Sequence, residues 1–227
     1  MSSPSNFGSN TAGRHDGPSL LHRQLKRETA GLHQRLEAQL GLFEPEFSLN
    51  RYVQVLQIFY GFYAPVEASL VGLTAARPGF GFPLRARSGL IESDLLALGL
   101  SRRELAELPR CTNLPRLSCP EDLAGCLYVL EGACLGGQVI APRLGQRLGV
   151  AKGSGASFFV GDSEATSARW ILVLDWLEQL VRAGARREEI TASACATFLA
   201  LARWVEQQDA SQPSVCGGKR RGRSDRL

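Results

Sequence analysis

The apolar residues of this 227-residue chain recur at steps of three and four, which is the spacing of amphipathic helices. Alternation with period two does not persist long enough to require a sheet. Capping residues mark several ends: Ser19 and Gly41 flank the first helix, and Ser101 with Glu104 forms a capping-box pattern. The pattern predicts an all-α bundle of about six to eight helices. The predicted helices cover 20–40, 49 to about 73 with a kink at Pro65, a segment from near Gly89, a short one after Ser101, 123–148, 166–184 and 187–207.

The length of the chain favours one domain, since a second core of ordinary size would be crowded. Residues 1–18 lack periodic apolar positions and are predicted to be a disordered leader. Residues 19–207 would form the helical domain, with an irregular connection at 149–161, and 208–227 a disordered basic tail.

Composition and charge narrow the class of protein. The net charge of +4 is accounted for by the last eleven residues, so we expect no nucleic-acid partner. No segment looks long and apolar enough to span a membrane and no export signal is visible, which predicts a cytoplasmic protein with no membrane partner. The six cysteines form no CxxC pair, which favours reduced, mostly buried thiols over a zinc site or disulfides.

The histidines offer few metal ligands. The chain has only His15, His22 and His33, too few for a cage of several histidines. His33 lies in the middle of the first predicted helix and is predicted to face inward, on the side that also carries Lys26, Thr29, Glu37 and Leu40. Such a histidine is either a structural core residue or an axial ligand of haem iron. Lys26 is either a solvated lysine or a partner for a haem propionate.

Three glycines weaken the predicted helix 123–148. Gly132, Gly136 and Gly137 each cost about 1 kcal/mol relative to alanine inside a helix, so something requires the missing side chains. One interpretation is a close crossing of two helices. The other is a flat ligand that lies against the helix backbone.

Two separated motifs resemble those of haem oxygenases. The segment LKRETAGLHQRLE at 25–37 looks like their proximal motif, and LYVLEGACLGGQVI at 127–140 looks like their distal helix. The likeness is strongest to the bacterial biliverdin-producing branch, which includes enzymes that accompany bacteriophytochromes. It extends more loosely to 52–67, Phe158–Phe159 and Trp170.

The resemblance implies a single-domain, haem oxygenase-like multi-helix bundle and a role for each motif residue. His33 would be the proximal iron ligand, and Lys26 and Tyr128 would bind propionates. Gly132 and Gly136 would form the distal backbone, with Gly137 supporting a kink.

The resemblance also implies a reaction. Haem b would be both substrate and cofactor, and O2 with electrons from an external donor would convert it to biliverdin, carbon monoxide and ferrous iron. A ferredoxin or a flavoprotein reductase is the expected donor, because the chain has no GxGxxG fingerprint of its own. A bacteriophytochrome is a candidate acceptor of the biliverdin.

Two departures from the family pattern keep alternatives open. Ala133 stands where relatives often have Ser or Asp, so its side chain cannot hold a distal water. The segment SFFVGD also lacks the basic groups that relatives tend to offer near Phe158–Phe159. The alternatives are a haem carrier or sensor with the same fold but no turnover, and a helical interaction protein that binds no haem.

Overall fold

The computed structural model describes residues 19–76, 82–161 and 163–211, and these residues form eight helices and no strand. The all-α prediction is therefore confirmed. The leader 1–18 and the tail beyond residue 211 lie outside the described residues. The helices are α1 (Leu20–Leu40), α2 (Leu49–Ala76), α3 (Ser88–Ala97), α4 (Arg102–Glu107), α5 (Pro120–Leu148), α6 (Ser157–Val160), α7 (Ser163–Arg182) and α8 (Arg187–Ala210).

Local capping explains the helix ends that the sequence predicted correctly. The Ser19 side chain accepts a hydrogen bond from the backbone N–H of His22 and starts α1, and Gly41 ends it at a left-handed φ of 63°. At α4, the Ser101 side chain and Glu104 form the predicted capping box.

Several predicted boundaries were wrong. α2 ends at Ala76 instead of about residue 73, α5 begins at Pro120 instead of 123, and α7 begins at Ser163 instead of 166. α8 continues to Ala210, so the predicted tail from 208 loses its first three residues to the helix. Periodicity places helix ends poorly, because end residues have no second turn with which to establish a pattern.

The connection 149–161, predicted to be irregular, contains the short helix α6. The buried Asp94 carboxylate accepts hydrogen bonds from the backbone N–H groups of Ser157 and Phe158, both at 2.7 Å. This carboxylate satisfies the free donors at the start of α6 from 63 residues away along the chain. Such a contact leaves no periodic signal in the local sequence.

Helix α8 is the common support for α1 and α5. On the α1 side, Cys195 and Glu206 lie beside Glu28 and Gln39 respectively. On the α5 side, Ser193 donates to the Asp122 carbonyl, and the Thr197 side chain lies beside that of Cys126. Residue numbers rise together in both sets of pairs, so α1, α5 and α8 run in the same direction.

The crossing of α5 and α8 is very close at Gly125. A Cβ added there would lie 2.4 Å from the Ile190 carbonyl oxygen and 2.5 Å from the Ala194 nitrogen. Only a glycine fits at this distance, so one glycine of α5 is explained by helix packing.

Helix α5 is long and apolar enough to cross a membrane by length and composition, which corrects the expectation that no segment is. However, 61% of its apolar window is buried inside the bundle. Helix α5 packs against α6, α7 and α8, and a helix that is buried on most sides carries apolar residues around most of its circumference. This packing explains its apolar composition.

Candidate functional site

The Tyr128 side chain of α5 lies beside the Thr29 side chain of α1. His33 lies one turn beyond Thr29, and Gly132 lies one turn beyond Tyr128. Because α1 and α5 run in the same direction, His33 and the glycines lie on the same side of this contact. Helix α8 supports both helices near it, since Thr197 lies beside Cys126 of α5 and Phe198 contacts His33 of α1.

The His33 side chain is 54% exposed, so the prediction that it faces inward is wrong. The buried stripe of α1 consists of Leu21, Leu25, Thr29, Leu36 and Leu40, and His33 lies at its edge. The ring packs edge-on against Phe198, with centroids 5.8 Å apart. This position leaves the imidazole within reach of a ligand.

Glu37 approaches one nitrogen of that imidazole. Its Oε2 lies 3.5 Å from His33 Nδ1, one helical turn further along α1. A carboxylate at Nδ1 favours the N–H on that nitrogen and leaves Nε2 as the available metal-binding atom. Sequence reasoning had placed Glu37 on the same side of the helix as His33 without giving it this role.

The glycines of α5 divide into two kinds. A Cβ at Gly137 would lie 2.4 Å from the Phe159 carbonyl oxygen, so Gly137 is required by packing against α6. A Cβ at Gly136 would meet only Ile140 Cδ1 at 4.0 Å, and one at Gly132 would meet Trp170 at an ordinary 3.5 Å. Protein packing therefore does not explain the missing side chains at Gly132 and Gly136. The backbone of α5 from Gly132 to Gly136, here called the glycine strip, has no side chain at either end, which fits a flat ligand.

Tyr128 is buried, and this burial raises the pKa of its hydroxyl above the ordinary value, although the neighbouring Thr29 side chain lowers it by a smaller amount. The hydroxyl is thus neutral at physiological pH. The predicted contact with a propionate would have to be made by this neutral hydroxyl beside Thr29. Lys26, on the same helix as His33, is exposed, as a partner for a carboxylate at the mouth of a site would be.

A cluster that the sequence did not predict surrounds the Gly132 end of the strip. The rings of His22, Tyr128 and Trp170 lie 5.3 to 6.3 Å apart, centroid to centroid. Burial and, less strongly, the nearby Lys26 ammonium lower the pKa of His22. His22 is therefore held as a neutral imidazole. Periodicity placed His22 only in the first turn of a helix and gave no signal for its partners on other helices.

Arg87 supplies a cation near Phe158, although SFFVGD itself contains none. Its guanidinium carbon lies 5.2 Å from the centre of the Phe158 ring, and the group donates to the Phe158 carbonyl. Arg87 is buried, so it supports α6 instead of facing an exposed ligand. The local sequence could not show this contact, because Arg87 and Phe158 are 71 residues apart in the chain.

The residues present fit a porphyrin better than a bare metal ion. Among residues 19–76, 82–161 and 163–211, no group of three or more His, Cys, Asp or Glu could hold a metal ion. A metal bound by His33 must therefore bring most of its other ligands with it, as porphyrin iron does. The uncovered backbone at Gly136 provides a surface without side chains for the opposite face of such a ring.

The described residues thus define an all-helical bundle in which a histidine-bearing helix, α1, and a glycine-bearing helix, α5, pack on the same helix α8. A family model described as "Heme oxygenase" matches residues 19–207 of the chain. A protein named "Heme oxygenase" from Xanthomonas campestris pv. campestris (strain 8004) is 30% identical over 150 residues, which cover 66% of this chain and 85% of that relative. The chain therefore belongs to the haem oxygenase family.

Proposed function

We propose that this protein is a biliverdin-producing haem oxygenase. It would use O2 and electrons from an external donor to convert haem b to biliverdin, carbon monoxide and ferrous iron. One observation carries the proposal: α1 bears an accessible imidazole backed by Glu37, and α5, which packs on the same helix α8, has glycines at 132 and 136 that protein packing does not require.

Each proposed role follows from the chemistry of the residue. His33 Nε2 would bind the iron, and Glu37 would orient the ring and make the imidazole a stronger donor. Gly132 and Gly136 would allow the other face of the porphyrin to approach backbone, with Gly137 fixing α5 against α6. Lys26 and Tyr128 would pair with the propionates. The bound haem supplies the iron that activates O2 and the meso carbon that is oxidised.

The distal side would depend on backbone groups. Ala133 has no side-chain donor or acceptor, so backbone carbonyls near Gly132 would have to hold any distal water. An exposed alanine at this position also leaves room beside the ring.

The electron donor in this proposal is a ferredoxin or a flavoprotein reductase. The described residues contain no strand, and a dinucleotide-binding turn needs a strand followed by a helix. We further propose membership of the bacteriophytochrome-associated branch, with a phytochrome as the acceptor of biliverdin, on the likeness of the two motifs. A cytoplasmic location belongs to the same proposal.

Aerobic incubation of the purified protein with hemin and ascorbate tests the proposed activity. We expect the Soret band of the complex to decay while biliverdin absorption appears, and an iron(II) chelator to detect the released metal. A Soret band that persists through the incubation would exclude turnover.

A haem carrier or sensor is the second candidate, and Ala133 is the observation that favours it. A carrier would bind hemin stably and leave it intact under the same conditions. A protein that gives no Soret shift with hemin would instead support the helical interaction protein.

A further inference from the structure

Trp170 of α7 covers one end of the glycine strip. Its ring atoms Cζ3 and Cη2 are the nearest contacts of a Cβ built at Gly132, at 3.6 and 3.5 Å. The same construction at Gly136 meets only Ile140 of its own helix, at 4.0 Å. The strip therefore has a covered end at Gly132 and an open end at Gly136.

An ion pair fixes α7 to α5 directly beside this contact. Arg169 Nε donates to Glu131 Oε1 at 2.7 Å, and these two residues immediately precede Trp170 and Gly132 in the chain. Their side chains are only 15% and 8% exposed, so solvent screens the pair weakly. Arg169 also donates to the Pro83 carbonyl at 2.7 Å and lies over the Phe82 ring.

The indole is held on its other sides by aromatic rings. Tyr128 lies 5.3 Å away and His22 5.9 Å away, centroid to centroid. Trp170 nevertheless keeps intermediate exposure, so part of its ring faces outward from this packing. A side chain fixed by three elements with a free edge can act as a stop for a ligand.

We propose that Trp170 determines the regiospecificity of haem cleavage by setting where the porphyrin lies along α5. This inference rests on the proposed function. Gly132 and Gly136 are about 6 Å apart along the helix, a distance shorter than the width of a porphyrin. A porphyrin over Gly136 therefore reaches the Trp170 edge, and this contact limits the rotation of the ring in its plane. The rotation decides which meso carbon lies nearest the oxygen-binding position.

The test compares Trp170→Ala and Trp170→Phe with Trp176→Phe. Trp176 is a matched control because it lies on the same helix but packs against Phe82, with ring centroids 5.2 Å apart, outside the strip. Proton NMR of the ferric hemin complex reports the in-plane orientation of the ring through its shifted methyl resonances. Chromatography of the biliverdin isomers reports the carbon that is attacked.

We expect Trp170→Ala to give a second set of haem methyl resonances and to change the isomer ratio by about tenfold, the size expected when an apolar contact is removed. Trp170→Phe should shift both measurements in the same direction by less, and Trp176→Phe should shift neither. Wild-type resonances and isomers in both Trp170 variants would overturn the proposal. A wild-type protein that binds no hemin would instead overturn the proposed function. If the wild type binds hemin but does not cleave it, the NMR measurement alone tests whether Trp170 sets the orientation of the porphyrin.

Discussion

Glu37 acts on His33 through a single nitrogen, and this contact gives the first prediction. Replacing Glu37 by Gln removes the charge beside Nδ1 and leaves the shape of the side chain. Loss of an outer partner of a metal ligand typically costs 10- to 100-fold in affinity, so we expect about a tenfold weaker hemin complex. A Soret titration measures the dissociation constant.

Glu28→Gln is the matched control, because Glu28 is an exposed carboxylate on the same helix that pairs with Arg27 instead. It should bind hemin like the wild type. Equal affinity in Glu37→Gln and Glu28→Gln would mean that Glu37 does not support the ligand.

His22 gives a prediction about pH. Burial and Lys26 lower its pKa below the ordinary 6.5, so the unfolded chain binds a proton on this residue more readily than the folded protein does. The stability that neutral His22 contributes is complete above pH 6.5 and is lost as the pH falls from there through the lowered pKa. We expect the wild type to lose more unfolding free energy than His22→Gln between about pH 7.5 and about pH 5.5.

Urea unfolding at the two pH values measures this difference. The other titrating groups are common to both proteins, so they cancel in the comparison. Parallel losses in the wild type and His22→Gln would contradict the assignment of a half-buried neutral imidazole.

At the scale of an element, alanine substitutions at different glycines of α5 are expected to change the stability of the protein in opposite directions. Gly136→Ala meets almost no neighbour and improves helix propensity, so it should raise the unfolding free energy of the haem-free protein by up to about 1 kcal/mol. The added methyl would stand at the proposed position of the porphyrin, so hemin affinity should fall. Gly132→Ala, already beneath Trp170, should lower affinity less.

Gly137→Ala is the comparison variant, since its Cβ would lie 2.4 Å from the Phe159 carbonyl oxygen. It should destabilise the haem-free protein by about 1–3 kcal/mol, as overpacking does. Chemical denaturation of the hemin-free proteins measures their stability, and Soret titration measures their affinity for hemin. A Gly136→Ala protein that is less stable but binds hemin normally would mean that protein packing, not a ligand, requires this glycine.

The same helix, α5, could be predicted from the sequence only in part. Its existence and its unusual glycines were visible locally, because helical periodicity and the cost of glycine in a helix are local properties. The division of those glycines into packing and uncovered positions was not visible, because it depends on Phe159 and Trp170 from other elements. Helix α6 was missed for the same reason, since Asp94 organises it from α3.

At the scale of the whole molecule, the bundle depends on α8 as the shared support. Gly125→Ala would place a methyl 2.4 Å from the Ile190 carbonyl and separate α5 from α8. We expect a loss of about 3 kcal/mol or more in unfolding free energy, at the upper end for overpacking, with far-UV and near-UV signals lost together. Gly31→Ala on α1 meets nothing within 4 Å and should be neutral or stabilising. Equal stabilities for the two variants would contradict the close crossing.

The candidate site could be predicted from the sequence only as two motifs, at 25–37 and 127–140. Their relation in space depends on α8, where Thr197 and Phe198 contact the two motif-bearing helices. His33 was predicted to be inward because Thr29 and Leu40 share its side of the helix, but a residue at the edge of the buried stripe can be half exposed. An edge position suits a ligand that enters from solvent.

The most direct test of the central claim is electron paramagnetic resonance of the ferric hemin complex in the wild type, His33→Ala and His22→Ala. We expect a histidine-ligated iron signal in the wild type and His22→Ala, its loss in a folded His33→Ala, and its return when free imidazole is added to that variant. An unchanged signal in His33→Ala, or its loss in His22→Ala instead, would contradict the assignment of His33 as the iron ligand.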